Sequence, residues 1–181
     1  ALLPADYRVV GALSTLPFVV VGVIAARRQW RLPSAAQVAR TTQAVSAMAE
    51  GLLPHTQTAM IAKHNVAYHE YEGIATDLDE RERLVEDLGE KHAMILRNHG
   101  TLAVGQSVAD CCMRLYFRER ACDAQVKMVS AGRENLHTPP QGVEGKVEGQ
   151  SPPGGMAMVA QSLAWPALLR KLDRIDASYR N

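Results

Sequence analysis

The stretch Ala93–Gly105, AMILRNHGTLAVG, constrains the fold of this chain more than any other. Two short apolar runs, Ala93–Leu96 and Thr101–Val104, flank the polar tetrapeptide Arg97-Asn98-His99-Gly100. Runs this short are strand-length, and a glycine-containing polar knuckle between them reads as strand, tight turn, strand. Gly100 is expected to take a positive φ in the turn, which leaves His99 fixed at the tip. Gly105 breaks the second strand, and Ser107 with Asp110 three residues on makes a capping box that opens a helix. A polar side chain held between two buried strands is well placed for chemistry. A histidine there also serves simply to cap the turn.

From Ala44 onward the sequence supplies partners for this hairpin. Ala44–Leu53 has helical apolar spacing through Ala44, Ala47, Met48 and Leu52, with Gly51 marking its end. Pro54–Gln57 is a turn into a short helix over Thr58–Lys63, and the mixed alternation of Asn65–Tyr71 predicts a strand. Asp77–Gly89 carries conventional helix signals: Asp77 or Asp79 as cap, Leu78, Leu84, Val85 and Leu88 facing inward, Gly89 as the stop. Its acids Glu80, Glu82, Glu86 and Asp87 alternate with Arg81 and Arg83, the pattern of a solvated face with local ion pairs. The longest helix is expected over Val108–Val129, with Val108, Cys112, Leu115, Cys122, Val126 and Val129 inward and Arg114, Arg118 and Arg120 off that stripe. Residues 130–155 hold six glycines and four prolines without apolar period, which predicts a long flexible connector. Ala164–Ile175 closes the chain as an amphipathic helix with Pro166 in its first turn. His55, His64, His69 and His92 lack mutual metal-type spacing and read as surface residues, solvated or hydrogen-bonded. The residues alone give an α/β chain.

A hydrophobic content of 47% over 181 residues supports one domain with a sizeable core, and a net charge of +1 gives no electrostatic case for nucleic acid or an anionic membrane. Cys111, Cys112 and Cys122 share one predicted helix and show no CxxC spacing, which argues for a reducing cytoplasm and against a cysteine zinc site. Val9–Ala26 is free of charge and is followed by Arg27 and Arg28. Its length permits a short membrane span, but Pro17, Ser14 and Thr15 favour two buried strands, and the trailing basic cluster is wrong for a secretory signal.

Five segments in order, AVSAMAEGLLPHTQTAM (44–60), VAYHEYEG (66–73), DLDERERLVEDLG (77–89), AMILRNHGTLAVG (93–105) and SVADCCMRLYFRERACDAQV (107–126), resemble the class II aldolase/adducin family. The resemblance implies a three-layer α/β domain, with a central, mostly antiparallel sheet between helices, in homo-oligomeric proteins. It implies a divalent metal, zinc in the aldolases, that stabilises an enediolate while a sugar phosphate or related hydroxy-carbonyl substrate is cleaved or epimerised. His99 matches the metal-ligating histidine of the family's RNHG knuckle.

The family carries two further ligands, spaced His-x-His, upstream of its Ala-Val-Ser-Ala stretch. Counting back without gaps places these positions at about Ala36 and Val38, which cannot bind metal. No histidine precedes His55, and the only acid in the first forty residues is Asp6, against five arginines. That composition suggests a shifted reading frame or a replaced segment there. The expected organisation is therefore an atypical segment 1–43, an aldolase/adducin-like core 44–129, a connector 130–163 and a C-terminal helix and tail 164–181. Two functions follow: an aldolase-type enzyme impaired by its missing ligands, or a non-catalytic, adducin-like interaction module.

Overall fold

The computed structural model describes residues 35–73, 79–151 and 154–180, so the apolar run Val9–Ala26 and the Asp77 and Leu78 assignments lie outside the described residues. Among the described residues no helix is long and apolar enough to cross a membrane.

The first described helix, α1, spans Ala35–Ser46. It ends close to where a helix was expected to begin, and Ala47–Leu53 is largely turn. The reason is that α1 buries polar residues: Thr42 and Ser46 are as inaccessible as Val45 between them. The Thr42 hydroxyl donates to Glu119 and the Ser46 hydroxyl to the Gln43 carbonyl, so both satisfy their hydrogen bonds without producing an apolar period. Gly51 then takes φ +65°, and the Tyr68 phenol fills the space that a β-carbon would need there. Helix α2 (Gln57–Lys63) is capped by Thr56, whose hydroxyl accepts from the Ala59 N–H at 3.1 Å.

Three strands form one small mixed sheet among the described residues: β1 (Val66–His69), β2 (Ala93–Leu96) and β3 (Gly100–Ala103), in that order. β1 runs parallel to β2, with His69 opposite Leu96, and β2 runs antiparallel to β3, with Leu96 opposite Gly100. The parallel pair needs a crossover, which helix α3 (Glu80–Leu88) supplies. Alternation along the strands divides the core into two halves. Val66, Ala93 and Ile95 pack with Val45, Ala59, Ala121 and Cys122 on one face. Ala67, Met94 and Leu96 pack with Leu84 and Leu88 of α3 on the other. The sheet is thus covered on both faces, α1, α2 and the long helix on one side and α3 on the other, an α/β arrangement.

That long helix, α4, spans Val108–Val129, with Ser107 as its cap and an Asp110 N–H···Oγ distance of 3.2 Å. Gly105 stands where Asp110 Oδ2 would lie 2.6 Å from any β-carbon, so this turn requires glycine. The inward stripe differs from the expected one. Ala109, Asp110, Cys111, Arg118, Ala121, Cys122 and Gln125 are buried, whereas Val108 is 48% exposed and Cys112 is exposed. Apolar spacing misplaced the stripe because α4 turns polar side chains inward and pairs them there. Asp110 takes the Gln106 N–H and the Arg114 guanidinium, and Gln125 bridges the Gly51 carbonyl and the Leu53 N–H, each at 2.7 Å. Arg118, expected off the stripe, is 1% exposed and donates to the Leu102 carbonyl at 3.0 Å.

Beyond α4 the chain forms a 3₁₀ turn (Arg133–Asn135), α5 (Val143–Gly149), α6 (Gly155–Val159), a π turn (Ala160–Ala164) and α7 (Trp165–Asp173), with Pro166 at the start of α7. Among the described residues, polar contacts tie the glycine- and proline-rich segment to the body. Arg133 pairs with Glu50, Glu144 with Lys63 at 2.9 Å, and the His137 carbonyl lies 3.3 Å from His55 Nδ1.

Candidate functional site

The knuckle between β2 and β3 folds as a three-residue turn, Arg97–His99. Its left-handed residue is Asn98, at φ 55°, and not Gly100, which enters β3 with the extended backbone of a strand residue. Asparagine tolerates this conformation better than other residues with a β-carbon, so the sequence satisfies the turn one step before its glycine. The turn is clamped from three directions. The Arg97 N–H donates to the His69 carbonyl at 2.9 Å, the Asn98 N–H to the Ser46 carbonyl at 3.3 Å, and the His99 N–H to the Leu96 carbonyl at 3.1 Å.

The side chain of Arg97 adds a fourth tie. Its guanidinium donates to the Met48 carbonyl at 2.7 Å, reaches the Ala49 carbonyl at 3.4 Å, and lies over the Tyr68 ring. Its Nε is 3.7 Å from the exposed carboxylate of Glu70. The Tyr68 hydroxyl in turn accepts from the Leu52 N–H at 3.0 Å. Beside these residues lies an open cleft of about 260 Å³, lined by Ser46–Ala49, Glu70, Arg97 and Asn98.

His99 is half-buried at the turn, and its Nδ1 is buried without a hydrogen-bond partner. An imidazole nitrogen left bare in this way suits a ligand or a proton, which is the one feature here that fits a metal. The rest of the set does not fit. Among the described residues no group of three or more His, Cys, Asp or Glu could hold a metal ion. Positions 36 and 38 are Ala and Val, neither of which has a side chain that ligates metal. A catalytic zinc needs three protein ligands, and the described residues do not supply them.

Of the other histidines, His55 and His64 bond backbone carbonyls near the surface at 3.3 Å. His92 is half-buried, and burial, with Arg114 acting in the same sense against Asp110, pushes its pKa down. His69 corrects its expected surface placement. It is 3% exposed at the end of β1, with Nδ1 2.7 Å from Asp87 Oδ2. Nearby on α3, Glu80 is turned toward the same ring, 3.6 Å from Nε2. Two of the acids assigned to a solvated face thus converge on a buried histidine, because the strand's alternation places His69 on the α3 side.

A second buried polar group joins α1 to α4. Glu119 accepts from the hydroxyls of Thr41 and Thr42, and burial pushes its carboxyl up to about 7, against the pull of Arg118 and the Thr41 hydroxyl. Burial lowers Arg118 to about 10 and raises Cys122 to about 12, so the Cys122 thiol is inert at neutral pH. Sequence reasoning missed Glu119 because Arg118-Glu119-Arg120 reads as an exposed charged run.

Residues 38–126 match the sequence profile of the class II aldolase and adducin N-terminal domain. The chain belongs to the class II aldolase/adducin family. A protein of Caulobacter vibrioides named for aldolase class 2 is 51% identical over 136 residues, covering 75% of this chain and 52% of the relative. The crystal structure of an aldolase II superfamily protein from Pseudomonas syringae superposes with a TM-score of 0.69 at 47% identity, over 78% of this chain and 56% of that one. Mouse alpha-adducin is 41% identical over 96 residues, which is 51% of this chain and 13% of adducin. The chain spans about half the length of the bacterial relatives it matches. The match starts inside α1 and runs almost to the end of α4.

Proposed function

We propose that this chain is a class II aldolase/adducin domain in which the family's metal-dependent aldolase chemistry is impaired. One observation carries the reading. The knuckle that presents His99 is fully built and its Nδ1 is unpartnered, while the family resemblance, counted back without gaps, puts two further ligand positions at about Ala36 and Val38. One neutral imidazole does not retain zinc against competing sites. A complete site would act on a small carbohydrate or other hydroxy-carbonyl compound, sugar phosphates by family resemblance, in a cytoplasmic homo-oligomer. The test is metal content per chain after purification, for the wild type and for His99→Ala, beside a cleavage assay on a panel of ketose phosphates. Metal far below one equivalent in both proteins, with no cleavage, is the expected result. About one zinc per chain, lost in the variant, overturns it.

The second reading is a non-catalytic interaction module, and the likeness to alpha-adducin over half of the chain favours it. It requires a stable metal-free oligomer or partner complex, measured by sedimentation in the presence of a chelator. A monomer under those conditions, together with aldol cleavage, sinks it.

A further inference from the structure

The corner where β1 ends and α3 packs gathers four charged side chains around one buried histidine. His69 is 3% exposed. Its Nδ1 lies 2.7 Å from Asp87 Oδ2, and since an ionised carboxylate only accepts, Nδ1 carries the proton there. That fixes the tautomer and leaves Nε2 with its lone pair. Nε2 is buried and has no hydrogen-bond donor, while Glu80 Oε1 stands 3.6 Å and Glu72 Oε1 3.9 Å away. In the neutral ring, therefore, a buried acceptor faces two further acceptors.

Among the described residues, the groups facing His69 come from α3, the segment after β1 and the knuckle. Glu80 and Asp87 belong to α3, one on each side of the ring nitrogens. Glu72 belongs to the segment after β1 and is held by Arg83 of α3, whose Nε lies 2.8 Å from one of its oxygens. From the β2–β3 knuckle only the Arg97 backbone N–H reaches His69, at its carbonyl, and the Arg97 guanidinium turns instead to Glu70 and Tyr68. Among the described residues three carboxylates thus surround the imidazole, and one guanidinium offsets them.

We infer that His69 is a proton-operated latch that fastens α3 to the end of β1. A proton on Nε2 converts the unpaired acceptor into a charged donor aimed at Glu80 and Glu72, and all three carboxylates then attract the ring. The two gaps of 3.6 Å and 3.9 Å close to hydrogen-bond length, which draws the first turn of α3 onto the sheet. Loss of the proton restores the mismatch and loosens that turn. Because the His69 carbonyl holds the Arg97 N–H, the latch lies directly behind the knuckle that carries His99.

Amide hydrogen exchange tests this, read at about pH 5.5 and about pH 7.5 after correction for intrinsic rates. Amides of α3 are expected to gain roughly tenfold protection at the lower pH, the scale of one charge-assisted hydrogen bond, relative to amides of α4 as internal reference. His69→Gln, which cannot take the proton, is expected to abolish that α3-specific gain, and Glu80→Gln to reduce it. If His69→Gln fails to fold, ¹⁵N imidazole shifts of the wild type decide. A proton arriving on Nε2 together with the α3 protection supports the latch, and protection that changes without it overturns the idea. An α3-specific pH response that survives in a folded His69→Gln protein, or its absence from the wild type, also overturns the latch.

Discussion

The Arg97 guanidinium lies 4.5 Å above the centre of the Tyr68 ring and from that position donates to the carbonyls of Met48 and Ala49. One side chain thereby joins β1, the knuckle and the turn after α1. Two of these interactions need the planar fork of arginine, and the third needs its flat face.

Arg97→Ala is expected to destabilise the fold by about 2–3 kcal/mol, from two lost hydrogen bonds and one cation–π contact. Arg97→Lys should recover about half, since an ammonium sits over the ring but does not fork to two carbonyls. Urea denaturation of the three proteins checks the order, which fails if lysine and alanine are equally damaging.

Gln125→Leu is predicted to be costly despite replacing a polar group in the core with an apolar one. Gln125 is fully buried and alone spans the Gly51 carbonyl and the Leu53 N–H at 2.7 Å each. Removing it strands a donor and an acceptor, for about 2–4 kcal/mol. A midpoint within error of wild type would show that water replaces both bonds.

Gly51→Ala should cost at least as much, for a different reason. The residue sits at φ +65°, and the new methyl would overlap the Tyr68 phenol, which lies 2.5 Å from the ideal β-carbon position. Strain and displacement together come to about 2–4 kcal/mol. Pairing the substitution with Tyr68→Ala in a double-mutant cycle separates the two parts, since only the overlap is relieved by the second change.

Glu119 supplies a pH dependence. Its carboxyl rises from an ordinary 4.5 to about 7 in the folded chain, mainly through burial. A carboxyl raised by folding favours the native state at low pH. Its contribution is fully present below about 4.5 and is lost as pH rises through about 7, up to about 3 kcal/mol in all. Glu119→Gln keeps an acceptor for Thr41 and Thr42 but removes the titration, so it should stabilise the protein at pH 8 and flatten the stability profile between pH 4.5 and 7. An unchanged slope in the variant would place the titration on another group.

Much of the fold was legible in the sequence. The limits of α4, the Ser107 cap and both strands of the hairpin could be read from apolar runs and turn chemistry, because each of those signals is local. What was not legible shares one cause: polar side chains turned inward and satisfied by partners far along the chain. Thr42 finds Glu119, Gln125 finds Gly51, and His69 finds Asp87. Apolar periodicity has no means of registering such positions, so α1 was placed too late and the buried stripe of α4 was rotated. At the candidate site the family motif singles out His99, and its bare Nδ1 is visible only with the knuckle folded.

The segment after α4 is fastened to the body by Glu50–Arg133 and Lys63–Glu144, both pairs lying in solvent. Contacts of that kind feel the ionic atmosphere, whereas the two cores on either side of the sheet do not. Raising the salt concentration should therefore release residues 133–149 to a protease before the α1–α4 body yields. Ionic strength would thus act as a selective key, opening the wrapping while leaving the aldolase-like frame shut.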